Sequence, residues 1–173
     1  IKYSAKVIGI NHLFNSYELL LESGESINGD FIISATGLYS DKLAKLLDIE
    51  IENKQIIPFR GEYFMLKPSF KYLVKGLIYP VPNPSFPFLG VHFTKMINGS
   101  VEAGPNAILA LAREGYNWQT INLEELYESI SFIGLQKFIL NYPLITAGEF
   151  IRSISKNLFV KSLQRLIPDI KSN

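Results

Sequence analysis

The sequence predicts an α+β fold, with short strands first and amphipathic helices after them. Up to Gly104, β-rich runs alternate with turns made of Gly, Asn, Ser and Pro. From Ile108 onward, apolar residues recur at spacings of three and four, as expected for helices. A hydrophobic fraction of 47% over 173 residues is enough for a sizeable core.

Composition excludes several classes of function. Lys and Arg number 17 against 16 for Asp and Glu, so the net charge of +1 gives no reason to expect a nucleic-acid partner. The absence of cysteine excludes disulfides and thiolate chemistry, and no metal-ligand cluster is visible. No apolar run approaches the roughly 18 residues of a membrane span. We therefore expect a soluble, cytoplasmic protein, with peripheral attachment to the inner membrane left open.

The first third contains the predicted nucleotide-binding elements. Lys2 to Ile10 and Tyr17 to Glu22 are expected to be strands, and Ser23 to Ser26 and Asn28 to Asp30 to be turns. Phe31 to Ala35 is nearly all apolar, which is typical of a strand covered on both faces.

A helix is predicted directly after this strand. Ser40 is the expected N-cap and Asp41 suits the helix dipole. The intervening turn, with Thr36 and Gly37, would let a dinucleotide approach the backbone. A tight strand-to-helix connection without a ligand also explains the same residues and is the commoner case.

Gln55 to Leu66 reads as a strand with two faces. Arg60 and Glu62 share one face with Phe64, and Tyr63 lies on the other. Arg60 and Glu62 are expected either to form an ion pair with each other or to leave the Arg60 guanidinium aimed at a substrate carboxylate.

The stretch Leu77 to Asn106 organises the chain around one histidine. Leu77 to Pro80 and Phe88 to Met96 are predicted strands, separated by a loop in which Pro82, Pro84 and Pro87 recur. Asn98-Gly99 predicts a hairpin turn that returns as Ser100 to Gly104.

Alternation along the second of these strands places His92 and Thr94 on one face, beside Gly90. His92 is either a hydrogen-bonded structural residue or a general base, since imidazole titrates near neutral pH.

The last third is predicted to be helical. Asn122 to Phe132 reads as one helix. Leu144, Ile151 and Ile154 begin an apolar stripe that is expected to be core packing and to continue until Pro168 stops the helix.

Four segments resemble the L-2-hydroxyglutarate oxidases and dehydrogenases of the FAD-dependent D-amino-acid-oxidase superfamily. They read GDFIISATGLYSDKLAKL, PFRGEYFMLKP, LIYPVPNPSFPFLGVHFTKMINGSVEAGPNAILALAREGY and SISKNLFVKSLQRLIPDI. The resemblance implies part of a Rossmann-like FAD-binding domain at 1–53 and an antiparallel-sheet substrate domain at 54–145. Residues 146–173 would form a helix leading back towards the FAD-binding domain.

The resemblance also implies residue roles in oxidising a 2-hydroxy dicarboxylate. His92 would be the catalytic base. The substrate-binding residues would be Arg60, Glu62, Tyr63 and Thr94, and the FAD-lining residues would be Val7, Ala35, Thr36 and Gly37.

Two features depart from the family. The family's N-terminal GxGxxG turn has no counterpart here, and its C-terminal segment is missing after Asn173. Together with a first residue that is Ile1 and not Met, this predicts the central fragment of a longer enzyme, whose other FAD-domain segments would be its partners. A non-catalytic remnant of a truncated or split gene, and an amine-oxidising relative of the glycine-oxidase kind, stay open as alternatives.

Overall fold

The computed structural model describes residues 1–82 and 90–172 and confirms an α+β fold. The predicted loop prolines Pro84 and Pro87, and the predicted strand start at Phe88, lie outside the described residues. The chain divides into two compact units, Ile1–Ile56 and Ile57–Asn173.

The first unit is a three-stranded antiparallel sheet followed by a short helix. Its strands pair in the order β1-β2-β3. A 3₁₀ turn at Gly37–Tyr39 leads into the helix. The elements are β1 (Val7–His12), β2 (Tyr17–Leu21), β3 (Ser26–Gly29) and α1 (Ser40–Leu46).

The third strand corrects the sequence prediction, which had turns at both of its ends. Ser26 pairs with Leu20 and Gly29 pairs with Tyr17, so the segment continues the sheet. The turn is confined to the residues around Gly24, whose φ of 87° suits glycine. Hydrogen bonding to the edge of β2 therefore outweighs the turn preference of the Ser, Asn and Gly residues in this segment.

The predicted buried strand from Phe31 to Ala35 is wrong. The segment has no regular structure, and Phe31 and Ile33 are 89% and 93% exposed. A strand exists only where a neighbour supplies hydrogen-bond partners, and within 1–56 none pairs with this segment. The whole of this unit buries only Leu21 and Asp41, so it has little core of its own.

The start of α1 also differs from the prediction. Ser40 is the first residue of the helix, and Tyr39 is in the N-cap position. The Ser40 hydroxyl does not cap the helix but donates to the Gly37 carbonyl oxygen at 2.7 Å. Asp41 does lie in the first turn, and its carboxylate accepts from the backbone N–H of Ile56 at 3.2 Å.

The second unit is built on an antiparallel sheet in the order β4-β6-β5. Asn98-Gly99 forms the predicted hairpin turn, in which Met96 N–H donates to the Ser100 carbonyl at 2.8 Å. The predicted strand Leu77 to Pro80 is reduced to a single bridge between Ile78 and Phe93. The strands are β4 (Phe59–Met65), β5 (His92–Lys95) and β6 (Val101–Leu109).

Four helices follow the sheet. Asn122 caps the first, as its side chain accepts from the N–H groups of Glu124 and Glu125, and this confirms the predicted helix. They are α2 (Leu123–Ser131), α3 (Ile133–Asn141), α4 (Pro143–Ile154) and α5 (Lys156–Leu163). Even α4, at 12 residues the longest helix in the described ranges, is too short to cross a membrane.

The long terminal helix predicted from Leu144 is broken at Ser155. That residue has extended dihedral angles (φ −118°, ψ 99°), and its hydroxyl caps α5 through Leu158 N–H. In the first part of the predicted apolar stripe, Leu144 and Ile154 are 88% and 70% exposed, so the assignment of that part to the core is wrong.

The core lies between the sheet and α5. Phe93 and Val101 are fully buried and pack with Phe159 and Leu163 of the helix. Burying each such side chain contributes roughly 1.5–3 kcal/mol. This packing covers one face of the sheet.

Candidate active site

The sheet of the second unit has one covered and one open face. Phe93 pairs with Ala103 and Phe64 stacks on Phe159 at 5.0 Å, which defines the covered face. Side chains alternate along a strand, so the neighbours of these residues point the other way. We call the opposite face the open face; it carries His92, Thr94, Glu102, Tyr63 and Tyr79. Tyr63 and Tyr79 are 49% and 45% exposed, whereas His92 is buried beneath them at 8%.

His92 lies opposite Gly104 on the open face and is held by two contacts. Its Nδ1 lies 3.2 Å from the Gly90 carbonyl oxygen, and its ring centroid lies 4.4 Å from that of Tyr79. A carbonyl oxygen can only accept, so Nδ1 carries the proton. When the ring carries this single proton, Nε2 is its basic nitrogen. The structure thus gives His92 a protonation pattern suited to accepting a proton.

Tyr63 reaches the same region because two glycines leave room for its ring. A Cβ added at Gly104 would lie 2.8 Å from Tyr63 Cδ1, and one added at Gly61 would lie 3.0 Å from Tyr63 Cε2. The register shifts between Glu62 and Phe64, where Tyr63 faces two residues of β6, Gly104 and Pro105, so β6 carries a β-bulge opposite Tyr63. The bulge and the glycines together bring Tyr63 beside Gly104, the pairing partner of His92.

Hydroxyl groups are the main polar groups of the open face. Thr94 pairs with Glu102, next to the tyrosines. Burial raises the pKa of the Tyr63 phenol, and the charges of Glu102 and Tyr79 add to that rise. A raised pKa keeps the phenol protonated, so Tyr63 offers a hydrogen-bond donor at neutral pH.

Arg60 and Glu62 lie on the covered face. The Arg60 guanidinium donates to Glu62 Oε1 at 3.1 Å and to the Asn117 carbonyl at 3.2 Å. It also stacks on Trp118, 4.4 Å from the ring centroid. Ser153 of α4 donates to the other oxygen of Glu62. The two residues do pair with each other, as one of the predicted alternatives states, with Arg60 buried and Glu62 partly exposed.

A second polar network joins β6 to α4. β6 continues beyond the residues that pair with β5. There the N–H of Ala107 donates to Glu149 Oε2 at 3.0 Å, in place of a hydrogen bond to a neighbouring strand. Asn106 donates to the Glu149 carbonyl at 2.7 Å and accepts from Arg152 at 3.2 Å. Burial raises the pKa of the Glu149 carboxyl, while Arg152 opposes that rise.

Sequence reasoning missed several of these residues. Tyr79, Trp118 and Ser153 contact the candidate residues His92, Arg60 and Glu62 but lie 13 to 91 positions away from them in the chain. Only the aromatic richness around Tyr79 was a visible signal. The other contacts depend on how the helices pack, which local spacing does not encode.

The predicted cofactor residues lie in the first unit. Val7 begins β1 and pairs with Leu21. Ala35, Thr36 and Gly37 are exposed, and a Cβ added at Gly37, whose φ is 53°, would have no atom within 4 Å. An exposed turn of small residues with open space at its glycine fits the close approach of a dinucleotide such as FAD.

The chain belongs to the FAD-dependent oxidoreductase family, whose family model matches residues 1–135. Within that class, it is 49% identical over 159 residues to the L-2-hydroxyglutarate dehydrogenase of Indibacter alkaliphilus, covering 92% of this chain and 40% of that protein. A mitochondrial L-2-hydroxyglutarate dehydrogenase of Nematostella vectensis is 43% identical, over 99% of this chain and 37% of the relative. The L-2-hydroxyglutarate dehydrogenase of Escherichia coli K12 is 39% identical, over 96% of this chain and 39% of the relative. The chain therefore spans about two fifths of the length of these curated relatives.

Proposed function

We propose that the chain is the central part of an FAD-dependent enzyme that oxidises L-2-hydroxyglutarate to 2-oxoglutarate. The observation that carries the proposal is the open face, where His92 bonds through Nδ1 to the Gly90 carbonyl, contacts the Tyr79 ring and shares the face with Thr94. The names of the relatives supply the substrate. Residues 1–53 would belong to the FAD-binding domain, 54–145 to the substrate domain, and 146–173 would lead back towards the FAD-binding domain.

The small residues of the first unit are the proposed FAD contacts. Val7, Ala35, Thr36 and Gly37 would line the cofactor, and Gly37 leaves space for it. When bound, FAD supplies the acceptor for the hydride that leaves C2 of the substrate. Phe31 and Ile33, both strongly exposed, would pack against further FAD-domain segments of the same enzyme.

His92 is the proposed general base. Its Nε2 would take the proton of the 2-hydroxyl group while the electron pair of the O–H bond forms the new C2 carbonyl. The bond from Nδ1 to the Gly90 carbonyl would steady the ring as positive charge develops on it.

The hydroxyl groups of Tyr63 and Thr94 are the proposed substrate contacts of this face. Both can donate to a carboxylate without leaving a buried charge behind when the substrate departs. A substrate role for Arg60 and Glu62 stays a prediction. Their side chains lie on the covered face, so any effect they have on His92 would pass through the sheet.

The cytoplasm is the proposed location, and it is a proposal only. The relatives from animals are named as mitochondrial, whereas the bacterial ones carry no such designation.

An amine substrate is the second candidate, and one observation favours it. Glu102 places a carboxylate on the open face opposite Thr94, where it would attract an ammonium group and repel a dicarboxylate. The alternative reaction would remove a hydride from the carbon that bears the amine.

A chimera separates these candidates. The matching segment of the Indibacter dehydrogenase would be replaced by this sequence, with the parent enzyme as the control. We expect flavin absorbance to bleach anaerobically on addition of L-2-hydroxyglutarate and to persist with glycine. Bleaching by glycine and not by L-2-hydroxyglutarate would show that the enzyme oxidises an amine substrate. A flavin-loaded chimera bleached by neither would indicate a non-catalytic remnant.

A further inference from the structure

Tyr79 is the aromatic neighbour of His92, and no sequence pattern singled it out. The two rings are tilted by 31° with centroids 4.4 Å apart. Tyr79 follows Ile78, whose backbone exchanges hydrogen bonds of 3.0 and 2.9 Å with Phe93. The bridge therefore fixes the backbone of Tyr79 beside the backbone of His92.

These contacts restrain the imidazole in complementary ways. The hydrogen bond to the Gly90 carbonyl selects the tautomer and the direction of Nδ1, but one bond leaves the ring free to tilt about it. A stacked ring opposes that tilt, because tilting would lose face-to-face contact. The contact between the Tyr79 and His92 rings is not part of the hydrophobic core, since Tyr79 is 45% exposed and the core residue Phe93 points to the covered face.

We propose that Tyr79 is a positioning residue that holds the His92 ring in the orientation that presents Nε2. It acts through its ring and not through its hydroxyl. The orientation itself is a property of this chain. Its consequence for catalysis rests on the proposed function of His92 as the base.

NMR reads the orientation through the hydrogen bond to Gly90, because a ring that tilts away from that carbonyl loses the bond and with it the preference for the Nδ1–H tautomer. The chain has two histidines, so the His12→Gln variant leaves His92 as the single imidazole. Long-range ¹H–¹⁵N spectra then report the protonated nitrogen through the separate shifts of Nδ1 and Nε2. In this background we would compare Tyr79→Phe with Tyr79→Leu.

We expect Tyr79→Phe to keep the spectrum of a single Nδ1–H tautomer and Tyr79→Leu to move both nitrogen shifts towards a mixture. Amide signals of Phe93 and Ala103 that stay in place would show that the covered face is intact. If they move, Tyr79→Met, which keeps bulk without a ring, replaces Tyr79→Leu. A single Nδ1–H tautomer in a folded ringless variant would overturn the proposal, and so would a mixture in Tyr79→Phe.

The catalytic consequence is tested in the flavin-loaded chimera. Tyr79→Leu should slow anaerobic flavin reduction about tenfold or more, as expected for a misplaced reacting group, and Tyr79→Phe should restore the rate. If His92→Gln leaves the rate unchanged, the proposed function fails while the NMR result still decides the role of Tyr79. If His92→Gln is slow but Tyr79→Leu is as fast as the parent chimera, the positioning role is overturned alone.

Discussion

Arg60 and His92 lie on opposite faces of the same three-stranded sheet. His92 pairs with Gly104 on the open face, whereas Arg60 is in register with Ile108 and stacks on Trp118 from the other face. Only 3% of the Arg60 side chain is exposed, and its guanidinium bonds to Glu62. The Arg60 guanidinium thus joins β4 to the segment between β6 and α2, which carries Asn117 and Trp118.

The buried setting of Arg60 predicts a stability effect for Arg60→Lys. Lysine keeps the charge but loses the planar group that stacks on Trp118 and bonds to Asn117 and Glu62. Losing hydrogen bonds to a charged group should lower the free energy of unfolding by about 1.5–3 kcal/mol. Urea unfolding followed by Trp118 fluorescence measures this change in the free energy of unfolding.

Lys54→Ala is the matched control, because Lys54 forms an exposed ion pair with Glu52. That variant should unfold at the same urea concentration as the parent chain. An Arg60→Lys variant that unfolds together with this control would mean that the buried guanidinium adds nothing to stability.

Gly104 predicts a second stability effect, centred on the bulge. A Cβ there would lie 2.7 Å from the Glu62 carbonyl oxygen and 2.8 Å from Tyr63, at a φ of 154°. Gly104→Ala should therefore cost about 1–3 kcal/mol of unfolding free energy from overpacking. It should also displace the Tyr63 ring. Denaturant unfolding and the Tyr63 ring signals in NMR spectra measure the two effects.

Gly76→Ala provides the comparison for this glycine. Gly76 has open space around an added Cβ and an ordinary φ, so alanine should fit there without loss of stability. Equal unfolding free energies for the two alanine variants would contradict the packing described around Tyr63.

Glu149 predicts a pH dependence of stability. Burial raises its folded-state pKa above the ordinary carboxyl value of 4.5, so the folded chain binds more protons than the unfolded chain between those two values. Stability should fall as pH rises through that interval and then level off. Arg152 is the charged group that faces Glu149.

Glu149→Gln keeps an oxygen that can accept from Ala107 N–H but removes the titration. Unfolding free energies measured at several pH values should show a smaller fall for this variant than for the parent chain. Two parallel profiles would show that Glu149 has the same pKa in the folded and unfolded states.

Local sequence patterns predicted the strands around the site better than the helices that cover them. Alternation predicted that His92 and Thr94 lie on one face of the strand and Phe93 on the other, because successive side chains of a strand point to opposite faces. The Asn98-Gly99 turn followed from the backbone angles that Gly99 tolerates.

The failures have a common physical origin. Phe31 to Ala35 has strand-like composition but no neighbour to pair with in its unit, and Ser155 breaks a helix whose apolar spacing continued past it. Both outcomes depend on long-range partners. The same is true of the contact between Tyr79 and His92, which depends on the bridge from Ile78 to Phe93.

The central claim is that the His92 imidazole accepts the proton of the substrate hydroxyl. The most direct measurement is the anaerobic rate of flavin reduction by L-2-hydroxyglutarate in the chimera, with and without His92→Gln. Glutamine fills a similar space but cannot take the proton, so reduction should slow about a hundredfold or more, with flavin content unchanged. A rate equal to that of the parent chimera would contradict the claim and leave His92 as a structural residue of the sheet.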